Sequence, residues 1–134
     1  MASANVDLVR SIYADWERGN FSSVEWADRE IEFFIADGPS PGSWRGLAGM
    51  AEGYRGVLSG WEEVRVKADE YRALDDERVL VLDHRTGRGR ASGLEIGKIR
   101  STGATLFHAR DGKVIKLVLY WDGDRAFADL GLEA

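Results

Sequence analysis

At 134 residues the chain is long enough for one domain with its own core, and with no cysteine it can hold no disulfide, thiolate nucleophile or thiolate metal site. Its 18 basic and 23 acidic side chains leave a net charge of −5, which argues against nucleic acid as a partner. No apolar run approaches membrane-spanning length, and the start MASANVDLVRS has no basic segment followed by an apolar one, so a cytoplasmic protein without a membrane role is expected.

In chain order, Val6, Val9, Ile12, Tyr13 and Trp16 share one face of a helix over residues 6–18, which Gly19-Asn20 ends. Ser22-x-x-Glu25 reads as a capping box opening a short second helix through Trp26. Ile31, Phe33 and Ile35 alternate with Glu32 and Phe34, giving a strand that runs into the turn Asp37-Gly38-Pro39-Ser40-Pro41. A third helix over 47–58 turns Leu47, Met50, Tyr54, Val57 and Trp61 inward. Gly49, Gly53, Gly56 and Gly60 recur along a neighbouring face of it. Each costs a helix about 1 kcal/mol relative to alanine, so the face points to close packing or, alternatively, to a flexible lid.

Strands are expected over 64–74, 78–88, 94–109 and 114–121, making five in the sheet. The third of these four would span about 50 Å if straight, at roughly 3.3 Å per residue, so it must bend, with Gly97 and Gly103 as the candidate positions. Between it and the last strand, Arg110-Asp111-Gly112-Lys113 is a hairpin turn that asks for positive φ at Asp111 and Gly112. Asp122 follows the last strand and either caps a short helical tail that ends in Leu130-Gly131-Leu132 or serves catalysis from the strand end. Helices followed by a strongly curved, mostly antiparallel sheet define an α+β domain with helices packed into the concave side.

Several side chains are candidates for chemistry. On the strand over 78–88 the neighbours Val79 to Leu82 are apolar on both faces. In one phase His84 joins Leu80 and Leu82 inside the cone, with Asp83 and Arg85 outside as an exposed pair; the opposite phase reverses this. Inside, an imidazole works as acid or base near neutral pH, or sits as a hydrogen-bonded core residue. His108 lies near the hairpin turn, at the surface, and no ligand spacing recommends a metal site. Arg85, Arg88, Arg90, Lys98 and Arg100 gather around Ser92-Gly93, as a solvated hairpin edge or a phosphate-binding patch. Trp16, Trp26, Trp44, Trp61 and Trp121 are core residues, or in part the walls of a cavity for flat, ring-shaped ligands.

The order of elements resembles the nuclear transport factor 2-like superfamily, which includes ketosteroid isomerase and the SnoaL-like polyketide cyclases. The likeness covers nearly the whole chain. Its motifs are Trp44-Arg45-Gly46 opening the third helix, Tyr54-Arg55 eight residues after that glycine, the Gly87 to Gly93 segment, Asp111-Gly112-Lys113-Val114, and Tyr120-Trp121-Asp122 with the Leu130-Gly131-Leu132 end. The resemblance implies a cone-shaped α+β barrel that forms a homodimer, encloses a hydrophobic pocket for a small apolar ligand and needs no cofactor. It also implies that Leu117, Leu119 and Trp121 line the pocket, and Trp16, Phe33, Tyr54 and Trp61 are further candidates for its wall. Carried over by position, the isomerase's base falls near Ile35 with Asp37 two residues later. Its oxyanion tyrosine falls on Ile12 or Tyr13, and its oxyanion aspartic acid on Ala104, which donates nothing. Tyr54 matches a tyrosine that supports the oxyanion tyrosine. The strand-borne aspartate of the epoxide-hydrolase branch falls on Leu119. His84, Tyr13 and Asp37 are therefore the candidate catalytic groups.

Three readings follow. One is an acid–base isomerase, cyclase or hydratase acting on a bulky, apolar, oxygenated ring compound. The others are a binding protein without turnover and a dimeric interaction scaffold.

Overall fold

A computed structural model describes residues 2–18, 20, 25–36, 41–59, 61–89 and 103–132. In chain order these form α1 (Ala2–Glu17), β1 (Ala27–Ile35), β2 (Gly42–Arg45), α2 (Gly46–Ser59), β3 (Trp61–Ala73), β4 (Arg78–Gly89), β5 (Gly103–Arg110), β6 (Lys113–Tyr120) and α3 (Gly123–Leu130). The strands make one open sheet in the order β2-β1-β6-β5-β4-β3. Among the described strands only the β1–β6 pairing is parallel, with Phe33 beside Leu117 and Ile35 beside Leu119. The α+β cone expected from the sequence is the fold observed.

Alternation along the strands sorts the core into two layers. On the inner face, Val9, Ile12, Tyr13 and Trp16 of α1 pack with Met50 of α2 onto Ile31, Phe33, Val79, Val81, Phe107 and Leu117. α1 lies over β3 and β4, and α2 over β1 and β2. On the outer face, Leu80, Leu106, Val118 and Tyr120 are covered by Ala126, Phe127 and Leu130 of α3. Full burial of a side chain of this size contributes about 1.5–3 kcal/mol, so each layer is a substantial source of stability.

The hairpin between β5 and β6 turns through positive φ at Asp111 (54°) and Gly112 (78°), as its sequence requires. Asp122 caps α3, its carboxylate accepting from the Asp124 amide at 3.0 Å.

Other expectations are corrected. The sheet has six strands, because Trp44 and Arg45, placed at the opening of a helix, instead form the end of β2, pairing with Phe33 and Glu32. A four-residue strand is too short to show a period. The helix expected through Trp26 is not there at its C-terminal end: Glu25 and Trp26 form a turn, and β1 begins at Ala27. Here the Trp26 carbonyl accepts the Val114 amide at 2.9 Å, drawing the segment into the sheet. Ser22 to Val24 lie outside the described residues, as do Asp37, Leu94 to Thr102 and the side chains of the basic group around Ser92. Within the described part of the long strand, which begins at Gly103, a register shift against β6 falls between His108 and Ala109. The Ala109 amide there donates to the Glu77 carbonyl at 2.7 Å.

The glycine face of α2 is a packing surface at its first two positions. A Cβ on Gly53 would lie 2.8 Å and 2.9 Å from the Phe33 ring and 3.0 Å from Trp44, and one on Gly49 would be 3.4 Å from Trp44 Cβ. At Gly53 the neighbours are aromatic rings, which glycine admits to the helix surface, and at Gly49 they are the Cβ and backbone of Trp44.

Candidate functional site

β4 runs under α1 with Val79, Val81 and Asp83 turned toward the helix. Opposite them on β5 stand Phe107, Thr105 and Gly103. Two hydroxyls converge on one oxygen of Asp83: Tyr13 Oη donates to Oδ2 at 2.7 Å, and Thr105 Oγ1 to the same atom at 3.0 Å. Exposure is 0% for Tyr13, 0% for Asp83 and 1% for Thr105. Hydrogen bonds to a carboxylate are about twice as strong as neutral ones, and a carboxylate buried without them costs several kcal/mol. The trio therefore fixes α1 on the sheet and keeps a carboxyl group inside an apolar layer.

Aromatic rings surround it. Tyr13 meets Trp16 at 5.0 Å between centroids and Phe107 at 5.9 Å, both edge-on. Trp16 extends the wall to Trp26 at 6.1 Å and Tyr54 at 6.0 Å, and Tyr54 stacks on Phe33 at 4.8 Å with 15° between planes. The Tyr54 hydroxyl and Asp83 Oδ1 are both buried. Among the described residues, Trp44, Tyr54, Tyr71 and Trp121 are the half-buried aromatics of this layer, where the wall meets solvent. Polar atoms converging within an aromatic lining are what a site for an oxygenated ring compound needs.

Of the candidates from the sequence, Tyr13, Trp16, Phe33, Tyr54, Leu117, Leu119 and Trp121 all belong to this inner layer. Asp37 and the Trp61 side chain lie outside what the structure describes. His84 does not join the layer. Asp83 takes the inward position and turns His84 to the outer face, where its Nδ1 pairs with Asp69 Oδ2 and its side chain is 48% exposed. The expected exposed pair of Asp83 and Arg85 is thus also corrected at Asp83. Val79 to Leu82 carry no alternation because α1 covers one face of β4 and α3 the other. Asp83 and Thr105 were missed for the same reason. Their signal was parity: Asp83 shares it with Val79 and Val81, and Thr105 with Phe107 and Ala109.

His108 lies at the rim of the outer face, with Nε2 2.9 Å from Glu77 Oε1. Arg110, followed by His108, holds the Glu77 carboxyl at about 2, below its ordinary 4.5. Among the described residues no three histidine or carboxylate side chains are grouped as metal ligands. None of the described helices is long and apolar enough to cross a membrane.

No protein-family profile matches the sequence, and no curated protein resembles it in sequence. Solved structures do resemble it in fold. A nuclear transport factor 2-like protein of unknown function from Burkholderia pseudomallei superposes with a TM-score of 0.74 at 19% identity, over 93% of this chain and 95% of that one. A candidate SnoaL-like polyketide cyclase from Jannaschia sp. CCS1 gives 0.73 at 16% identity, over 88% and 85%. A candidate isomerase from Bacillus subtilis gives 0.72 at 18%, over 98% and 95%. The fold is thus that of the nuclear transport factor 2-like superfamily, with SnoaL-like proteins among its structural neighbours. At these identities the likeness extends to the fold and not to a reaction.

Proposed function

We propose that the chain takes a flat, apolar, oxygenated ring compound against the aromatic wall of its inner face, and that Tyr13 and Asp83 address the oxygen of that compound. The observation that carries this is the Asp83 carboxyl, held by the Tyr13 and Thr105 hydroxyls inside an aromatic layer. A carboxyl group is expensive to bury in a core, and one kept there by two hydroxyls is a candidate for function. In an acid–base isomerase, cyclase or hydratase, Asp83 would move the proton while Tyr13 donates to the oxygen that gains charge. His84, on the outer face, is replaced by Asp83 in the role of proton carrier. The homodimer and the independence from a cofactor implied by the resemblance are part of the same proposal.

A second reading has its own support. Exposure of 0% at both Tyr13 and Asp83 also suits a closed core in which the trio is a structural pin. Titration with 2-naphthol, a flat phenol, followed through tryptophan fluorescence, separates the two. Saturable binding that weakens at least tenfold in Tyr13→Phe and in Asp83→Asn supports the proposal. Binding that ignores both substitutions, or no binding by the folded wild type, leaves the structural pin.

A further inference from the structure

The bulge in β3 beside Asp83 connects the two faces of the sheet. From Arg65 to Ala68 the β3–β4 register advances one residue at a time, with Lys67 opposite His84 and Ala68 opposite Asp83. The next pair is Glu70 with Leu82, so Asp69 is an extra residue, and a bulge of this kind re-aims the side chains that follow it.

Its effect is visible in parity. Val66 belongs to the inner core, with Ala68 packed against it, so strict alternation would send Glu70 and Arg72 inward against α1. With the bulge, Tyr71 turns inward instead and joins that layer. Glu70 and Arg72 pair with each other on the outer face, and the Arg72 guanidinium lies 5.4 Å from the centre of the Phe127 ring of α3.

Tyr71 then supports Tyr13 directly. Their ring centroids are 6.0 Å apart at 89°, and the Arg10 guanidinium closes the Tyr71 ring from outside at 4.4 Å. Burial, reinforced by Glu17 and opposed by Arg10, raises the Tyr71 phenol above its ordinary value. Tyr13 is thus held by Trp16, Tyr71 and Phe107 while its hydroxyl reaches Asp83.

Two ties hold the bulge. On the outer face the Asp69 carboxylate pairs with His84 Nδ1, one residue along β4 from Asp83. At the sheet edge, Glu17 Oε2 at the end of α1 accepts the Ala68 amide over a long 3.4 Å. We propose that Asp69 and His84 are positioning residues, which act from the outer face through the β3 bulge and Tyr71 to set the Tyr13–Asp83 hydrogen bond. This rests on the reading of that pair as the polar centre of the site, and it gives His84 a role without placing it inside the cone.

The test is protein labelled with ¹³C at tyrosine Cζ, a carbon whose resonance reports hydrogen bonding of the phenol. The resonances are assigned by single Tyr→Phe substitutions. In Asp69→Ala and His84→Ala the Tyr13 and Tyr71 signals are expected to shift or broaden well below the melting temperature, while Tyr54 and Tyr120 stay in place. 2-Naphthol affinity should fall at least fivefold in both variants, and Asp69→Asn, which can still hydrogen-bond to His84, should recover signals and affinity together. Should Asp69→Ala fail to fold, His84→Ala, which keeps the bulge residue, gives the same readout. Unmoved Tyr13 and Tyr71 signals in a folded variant would overturn the proposal, even if its melting temperature drops. If wild type binds no naphthol, the proposed function fails, and the tyrosine signals still decide whether Asp69 and His84 position Tyr13.

Discussion

The two faces of the sheet bury the same strand to the same depth and treat charge in opposite ways. On the outer face, Leu80 is fully buried beneath α3, and charged groups stay at the rim, where Arg72 covers Phe127 and Lys116 covers Phe34. On the inner face, Val79 and Val81 are just as deeply buried, yet the next inward position of β4 is a carboxyl with no exposure. A hydrophobic residue of similar volume there would typically match or exceed the stability of a buried polar group. The outer face is therefore what stability alone produces, and the inner face carries something more. Its extra content is the Tyr13–Asp83–Thr105 trio and the rings around it.

That contrast can be broken in several ways. Leu80→Ala should have the largest effect on stability, about 2–5 kcal/mol in urea unfolding, with naphthol affinity of the folded protein unchanged. A parallel loss of affinity would mean that the faces are not separable. Tyr13→Phe keeps the ring contacts and removes the donor to Asp83. It should cost about 1–3 kcal/mol while reducing affinity at least tenfold, reversing the balance seen at Leu80. Gly53→Ala sharpens the inner wall itself. Helix propensity favours alanine by about 1 kcal/mol, but its Cβ would sit 2.8 Å from the Phe33 ring. Overpacking by about 1–3 kcal/mol should leave a net loss near 1 kcal/mol by thermal melting, and a stabilised variant would show that the rings give way freely.

The smallest effect belongs to the rim. Glu77 falls from its ordinary 4.5 to about 2 in the folded chain through Arg110 and His108. A depressed folded value adds stability above pH 4.5 that is lost as pH falls through about 2. Melting temperatures of Glu77→Gln and wild type should therefore differ slightly at pH 6 and converge near pH 2. The difference is small because exposed ion pairs are screened by solvent. A gap that persists at pH 2 would assign it to something other than the carboxylate.

Much of the fold was readable because local chemistry agreed with its setting. The apolar stripe from Val6 to Trp16, the Asp111-Gly112 turn and the Asp122 cap need only neighbours in sequence to act, and each appears as read. Short or doubly covered segments were not readable. β2 exists because β1 offers it an edge to pair with, and Trp26 ends as a turn because β6 takes its carbonyl.

At the site, local sequence is enough for the ingredients: an aromatic-rich inner face, Tyr13 on the buried stripe of α1, and rings on β1 and α2 in the same layer. Only the tertiary structure decided that Asp83 and not His84 enters that face. The phase of β4 depends on partners 70 and 22 positions away in sequence, Tyr13 and Thr105, whose hydroxyls make burial of one carboxyl tolerable. An alternating pattern names the inward side of a strand only when the other side meets water, and here α3 removed that contrast.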